Sequence, residues 1–310
     1  MAKQILVTGG AGFIGSNLVS SLLKGDCEVT VLDDLSNGKL NNLGNAEIEF
    51  INGDIRNQDL VLKLLSRKFD IVYHFAARGS VPRSISDPAT TIDINFNGTL
   101  NILNAIKVHP AKLIFASSSS VYGKNQKNPK TEFDWAAPIS PYAASKLSCE
   151  SIVTAYSSSF DFPAMIARFF NVYGPKQRSD IEYPAVIPKW IKSLQKREPL
   201  VVNGDLEISR DFTYVADLSE LLVRLSLENY PIENFPLVNF AFGKPIKLRE
   251  IIDIFRSHFP NCEVELGPAR TGDIKDSMND ASRLIELYKT INITPFEHGL
   301  AKTIYSMKEN

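Results

Sequence analysis

Apolar residues come in short blocks through the first 170 positions, and the blocks alternate with stretches of helical spacing. Strand-like runs fall at 3–8, 28–33, 47–51, 70–75, 112–117 and 164–169, and helix-like patterns at 12–24, 57–66, 89–107 and 141–159. Continuous apolar runs mark strands buried on both faces, and strands separated by helices return in the same direction. The order predicts an α/β fold with a doubly wound parallel sheet.

Beyond position 171 the rhythm changes, as prolines at 175, 184, 188 and 199 interrupt it. A first domain over 1–170 is therefore expected, followed by a smaller, more irregular one over 171–310, with parts of 211–240 able to rejoin the first sheet.

The first apolar block runs into a turn written ILVTGGAGFIG from position 5. Each glycine has its own reason: Gly9 for the tight turn, Gly12 for close approach of a ligand to the backbone, Gly15 for close packing of helix on strand. The spacing G-x-x-G-x-x-G is one residue wider than the commonest dinucleotide fingerprint. A strand, a glycine turn and a helix start aim backbone N–H groups and the helix dipole at a pyrophosphate. The second apolar block closes on Asp33, an acid suited to ribose hydroxyls and repelling a 2'-phosphate, so the pattern is that of a Rossmann domain holding NAD rather than NADP.

Charge narrows the partners. Lys plus Arg (34) nearly cancels Asp plus Glu (35), which leaves no broad positive field for nucleic acid or an anionic membrane. No apolar stretch reaches membrane-spanning length and the first strand-like run begins at position 3, so no membrane span or signal peptide is expected and the expected location is cytoplasmic. Cys27, Cys149 and Cys262 are far apart and read as reduced thiols. His74, His109, His258 and His298 show no ligand spacing, and no metal is expected.

Two segments carry candidate chemistry. After Pro141, the run YAASK places Tyr142 and Lys146 four apart on one helix face. An ammonium beside a phenol favours phenolate, a base able to take a proton from a sugar hydroxyl while hydride leaves the same carbon. Upstream, LIFA leads into SSSSVYG, which puts hydroxyls at the carboxyl edge of the sheet where ligands bind.

Together these pieces resemble the extended short-chain dehydrogenase/reductase family, in its nucleotide-sugar epimerase and dehydratase branch, closest to 4-epimerases of UDP-N-acetylglucosamine and UDP-glucose. The matching stretches are TGGAGFIG, LDDLSNG, GDI, HFAA, NFNGTLNIL, SSSSVYG, YAASK, RFFNVYGP, SRDFTYV and RTGD, in order along nearly the whole chain. The resemblance implies an NAD-binding Rossmann domain with a smaller C-terminal substrate domain, and a homodimer formed through helices near 89–107 and 141–159. It implies that Gly9, Gly12, Phe13 and Ile14 cradle the pyrophosphate, that Asp33, Asp34, Asn37, Gly38, Asp54 and Ile55 surround adenosine, and that Phe75, Ala76 and Ala77 line the path to nicotinamide. It further implies that Ser118 hydrogen-bonds the reacting hydroxyl, that Tyr142 is base and then acid, and that Lys146 holds the ribose and tunes Tyr142. Asn171, Arg210 and Arg270 match positions that hold the diphosphate and nucleoside, and Asp273 a ribose contact.

The same branch separates its reactions by the pair after Ser118. Dehydratases carry Asp-Glu there and decarboxylases a Glu; this chain has Ser119-Ser120, so elimination lacks its acid and the implied reaction is 4-epimerisation of a UDP-sugar. Ser277 falls where such epimerases place a gatekeeper beside the 2-substituent, and the loop with Arg83 resembles that of epimerases handling N-acetylhexosamines. UDP-GlcNAc and UDP-GalNAc are the expected substrates, alongside UDP-Glc and UDP-Gal. A dehydratase or other 4-keto-forming enzyme is the alternative, and a non-enzymatic NAD-binding sensor a third.

Overall fold

The computed structural model describes residues 2–228, 232, 236–268 and 276–308. Its strands are β1 (Lys3–Thr8), β2 (Cys27–Asp33), β3 (Glu49–Asn52), β4 (Ile71–His74), β5 (Lys112–Ser118), β6 (Ala164–Phe169), β7 (Val172–Tyr173), β8 (Leu200–Asn203), β9 (Ser209–Asp211), β10 (Thr213–Tyr214), β11 (Leu237–Phe240), β12 (Pro245–Lys247), β13 (Val264–Gly267) and β14 (Asp276–Ser277). Seven of them form one parallel sheet in the order β11-β6-β5-β4-β1-β2-β3. The chain reverses direction across the sheet after β3, where β4 returns to the other side of β1, and such a switch point opens a ligand crevice at the carboxyl ends of the strands.

The helices beside these strands are α1 (Phe13–Leu22), α2 (Gln58–Leu65), α3 (Val81–Ser86), α4 (Pro88–Ile92), α5 (Gly98–Val108) and α6 (Pro141–Phe160). The helix expected over 89–107 runs from Pro88 to Val108 as α4, a π-turn at Asp93–Asn97 and α5, with Ile92, Asp93, Asn97 and Gly98 all in right-handed helical backbone. A further helix, α3, occupies a stretch that the pattern leaves as a loop. Ser80 caps α3 by accepting from Arg83 N at 3.3 Å, and Asp87 caps α4 by accepting from Thr90 N at 3.2 Å. Pro88 has no N–H to continue α3, so the chain stops and restarts there.

Two compact units result. One comprises residues 1–125, 132–169 and 218–240, the other 126–131, 170–217 and 241–310. In the first unit Leu6, Val72, Leu113, Phe115, Ile102, Ile106, Val153 and Ile166 pack between sheet and helices and are at most 4% exposed. The second unit adds α7 (Val186–Gln195), α9 (Leu248–His258), α10 (Ser282–Tyr288) and α11 (Phe296–Lys308), while α8 (Val215–Leu227) begins in it and continues into the first unit. Its core is built on Trp190, whose ring meets Phe255 edge-on at 6.2 Å, with Ile187, Ile251 and Leu300. The three cysteines are free thiols. Among the described residues no helix is long and apolar enough to cross a membrane.

Candidate active site

The turn after β1 is packed backbone against backbone. Gly9 has φ +71°, and a Cβ there would lie 2.6 Å from Ala76 N; a Cβ on Gly15 would lie 2.3 Å from Gly9 O. Any side chain at either position would push β4's end or α1 away from the turn. A Cβ on Gly12 would lie 3.1 Å from Gly9 O, its one neighbour within 4 Å among the described residues outside adjacent residues and its own helix, and α1 starts there with no side-chain cap. An uncapped helix start reached through open space on the glycine fits a pyrophosphate, with Phe13 and Ile14 supplying the leading N–H groups.

Asp33 fastens this turn. Its Oδ2 accepts from Ala11 N at 2.9 Å and its Oδ1 from Leu35 N at 2.9 Å. Burial pushes its carboxyl up and those N–H groups pull it back down. The carboxylate has acceptor capacity beyond these bonds, which suits a ribose hydroxyl. Asp34 accepts from Ser36 N at 2.9 Å, and Asn37 Oδ1 accepts from the Arg83 guanidinium at 3.4 Å, which ties the loop after β2 to α3. A Cβ on Gly38 would lie 2.8 Å from Ala11 C, so the loop runs against the glycine turn. Asp54 is bonded by Arg56 at 2.6 Å, and that guanidinium holds its carboxyl below the usual range. Ile55 is buried in the core, while Phe75, Ala76 and Ala77 follow β4 and are half-buried, the Phe75 ring edge-on to Phe169 at 5.6 Å.

A buried chain of hydrogen bonds runs beneath this turn. Thr99 Oγ1 donates to Asn95 O at 2.6 Å, so it must accept from His74 Nε2–H, 3.0 Å away. His74 Nδ1 therefore carries the lone pair and accepts from Thr8 Oγ1 at 2.7 Å, and Thr8 Oγ1 in turn accepts from Ala76 N at 3.2 Å. The network assigns a neutral imidazole. Burial, with the nearby Lys146 charge, drives the His74 pKa down to about 3.

The end of β5 meets the start of α6. Ser140 caps α6 by accepting from Ala143 N at 3.1 Å, and Pro141 takes the first helical position, where no N–H is needed. Helix start and phase are thereby fixed, with Tyr142 half-buried and Lys146 4% exposed. Ser118 stands beside Tyr142, pulling its phenol down, and its Oγ accepts from Ser120 N at 3.2 Å. Lys146 Nζ donates to Ala116 O at 2.9 Å and lies over the Phe115 ring at 4.9 Å. Here the structure corrects the phenolate expectation. Burial pushes the Tyr142 phenol up, and the Ser118 hydrogen bond only partly opposes it, because the ammonium is directed at the Ala116 carbonyl. The protein alone holds a neutral phenol. Burial also lowers the Lys146 pKa to about 8, against the Cys149 and Glu150 charges.

In the second unit Asn171, Arg210 and Ser277 are gathered around β9. Arg210 is the register partner of Ser277 on β14, and its NH1 donates to Ser209 O at 2.8 Å. Asn171, at φ +33°, donates through Nδ2 to Asp211 O at 3.2 Å. Asp211 Oδ2 accepts from Gly243 N at 2.9 Å and Asn279 N at 3.0 Å, which knits β9 to the segments before β12 and after β14. Arg270 and Asp273 lie outside the described residues.

Several residues of the first unit's site escape sequence reasoning. Asn95, 1% exposed, accepts from Arg78 N at 2.8 Å and donates to Ser145 Oγ at 2.9 Å, between Tyr142 and Lys146. It lies inside the NFNG stretch, but nothing in residue type or spacing announces a π-turn. His74 and Glu150 are likewise silent until the fold closes around them.

The model of the NAD dependent epimerase/dehydratase family matches residues 5–239. A putative UDP-glucose 4-epimerase of Methanocaldococcus jannaschii is 37% identical over 256 residues, which is 82% of this chain and 81% of that protein. The solved structure of a UDP-N-acetylglucosamine 4-epimerase from Methanobrevibacter ruminantium, in complex with UDP-N-acetylmuramic acid, is 36% identical and superposes with a TM-score of 0.93 over 99% of both chains. An NAD-dependent NDP-hexosamine 5,6-dehydratase of tunicamycin biosynthesis is 32% identical, with a TM-score of 0.90 over 99% of this chain and 98% of that one. The match of glycine turn, sheet order and family model over three quarters of the chain makes this protein an enzyme of the NAD-dependent epimerase/dehydratase family, with NAD as its cofactor.

Proposed function

We propose that the chain is a UDP-sugar 4-epimerase that interconverts UDP-GlcNAc and UDP-GalNAc and also accepts UDP-Glc and UDP-Gal. The observation that carries the reading is Ser118 set beside Tyr142 at the start of α6, where it pulls the phenol's pKa down against burial, followed in the sequence by Ser119 and Ser120 rather than carboxylic acids. NAD, when bound, supplies the acceptor for the C4 hydride and returns it. Tyr142 must first release its own phenolic proton to solvent; the phenolate Oη then takes the proton of the 4-hydroxyl and later gives it back, while Ser118 orients that hydroxyl. Lys146, one turn along α6, is mostly ammonium at neutral pH and offsets the negative charge that develops on Tyr142 Oη as its proton leaves. No carboxyl group stands at 119 or 120 to expel a hydroxyl, so the 4-keto sugar turns and is reduced on its other face.

Arg210, beside Ser277 in the sheet register, suits the diphosphate, since a guanidinium fork matches phosphate oxygens. The small Ser277 leaves room for a 2-acetamido group. Asn171, Arg83, Arg270 and Asp273 complete the proposed substrate contacts, and Gly9, Gly12, Phe13, Ile14, Asp33, Asp34, Asn37, Gly38, Asp54, Ile55, Phe75, Ala76 and Ala77 the proposed cofactor contacts. Exposed Ile92, Val108 and Phe160, on α4, α5 and α6, support a homodimer formed through those helices. The likeness to a hexosamine dehydratase supports a second reading, elimination from a 4-keto sugar. Incubation with each of the four UDP-sugars separates the two: epimerisation gives a C4-inverted sugar of unchanged mass, elimination a product lighter by one water.

A further inference from the structure

The buried face of α6 carries a third polar group beyond the Tyr142–Lys146 pair. Tyr142, Lys146 and Glu150 follow one another at four-residue spacing, and each is tied to one of three consecutive residues at the end of β5. Tyr142 stands beside Ser118, Lys146 Nζ donates to Ala116 O at 2.9 Å, and Glu150 Oε1 accepts from Ser117 Oγ at 2.5 Å. Glu150 is 5% exposed, and both its oxygens also receive the Arg168 fork, Nε to Oε1 at 2.8 Å and NH2 to Oε2 at 2.6 Å. Arg168 is 4% exposed, is the register partner of Ser117 on β6, and lies over the Tyr122 ring at 4.7 Å. A buried ion pair adds little stability that apolar side chains could not supply, so its place in this ladder is better explained by what it aligns.

We propose that Glu150, clamped by Arg168, is a positioning residue that fixes the register of α6 against the end of β5 and so holds Ser118 and Tyr142 in hydrogen-bond reach. The proposal rests on the roles given above to Ser118, Tyr142 and Lys146. Glu150 also acts through charge. The groups facing Lys146 are Cys149 and Glu150 on α6, His74 on β4, and the Phe115 ring and Ala116 carbonyl on β5, with Tyr142 one helical turn away and Arg168 behind Glu150 on β6. His74 is neutral and burial keeps Cys149 a thiol, so Glu150 is the anion that favours the Lys146 ammonium.

The test uses NAD-loaded enzyme and UDP-GlcNAc, with Tyr142→Phe as reference. Glu150→Gln should lower kcat by about tenfold with KM nearly unchanged, because geometry at the reacting atoms is disturbed and binding is not. Loss of the anion lowers the Lys146 pKa, so the alkaline limb of kcat should move down by about one pH unit, which a merely structural role would not produce. Ser117→Ala keeps the ion pair and removes only the tie to β5; it should lower kcat several-fold and leave the limb in place, and it decides the matter if Glu150→Gln does not fold. Wild-type kcat in Ser117→Ala, or an unmoved limb in Glu150→Gln, overturns the proposal. If Tyr142→Phe turns over as fast as the wild type, the site reading fails and the proposal with it; an inactive Tyr142→Phe beside a fully active Ser117→Ala overturns the proposal alone.

Discussion

His74 should make this protein sensitive to mild acid. The ring is 1% exposed and its two nitrogens are committed to Thr8 and Thr99 as one acceptor and one donor. Protonation would set a second N–H against the Thr8 hydroxyl and bury a cation near Lys146. The folded pKa of about 3 lies below the ordinary value of 6.5, so the unfolded chain binds this proton more tightly, and stability present above pH 6.5 is lost as the pH falls toward 3. At about 1.36 kcal/mol per pH unit, the loss between pH 7.5 and pH 5 is ~2 kcal/mol and approaches ~5 kcal/mol at the lower end. Urea denaturation of the wild type and of His74→Gln at both pH values isolates the term, since other acid-sensitive groups are common to the two proteins. The wild type should lose ~2 kcal/mol more than the variant over that interval, whatever the substitution itself costs at pH 7.5. Equal pH dependence in the two proteins, or an NMR titration of His74 near its ordinary pKa, would refute the assigned tautomer and the burial argument together.

Two further outcomes follow from the geometry. Gly15→Ala puts a Cβ 2.3 Å from Gly9 O, so α1 must retreat; calorimetry should show weakened NAD binding and a stability loss of ~1–3 kcal/mol, and unchanged values of both would contradict the backbone packing. Ser277→Tyr should cut kcat/KM for UDP-GlcNAc by about tenfold, or ~1.4 kcal/mol, while sparing UDP-Glc, and an equal effect on both sugars would remove Ser277 from the 2-substituent's surroundings.

The fold was legible where apolar blocks are long and glycine has a steric task. Val7, Val31 and Leu113 lie in runs that read as buried strands, and strands alternating with helices give the parallel sheet, while its strand order comes from the structure alone. Between β4 and β5, α3 and the π-turn at Asp93–Asn97 were not legible, because α3 is only six residues long and the π-turn changes neither residue type nor apolar spacing. The site was half legible. Tyr142 and Lys146 share a helix face by spacing, but the direction of the Lys146 ammonium depends on the Ala116 carbonyl, which pattern does not locate. The Thr8–His74–Thr99 chain and the Glu150–Arg168 pair join residues from separate strands and helices, so nothing local in the sequence marks them.

The most direct test of the account is the fate of UDP-GlcNAc with wild-type protein and with Tyr142→Phe, each supplied with NAD and followed by NMR and mass. UDP-GalNAc of unchanged mass should accumulate with the wild type, and Tyr142→Phe should retain NAD while turning over ~10²–10⁴-fold more slowly. A product lighter by one water, no C4-inverted sugar from any of the four UDP-sugars, or full activity in Tyr142→Phe would contradict it.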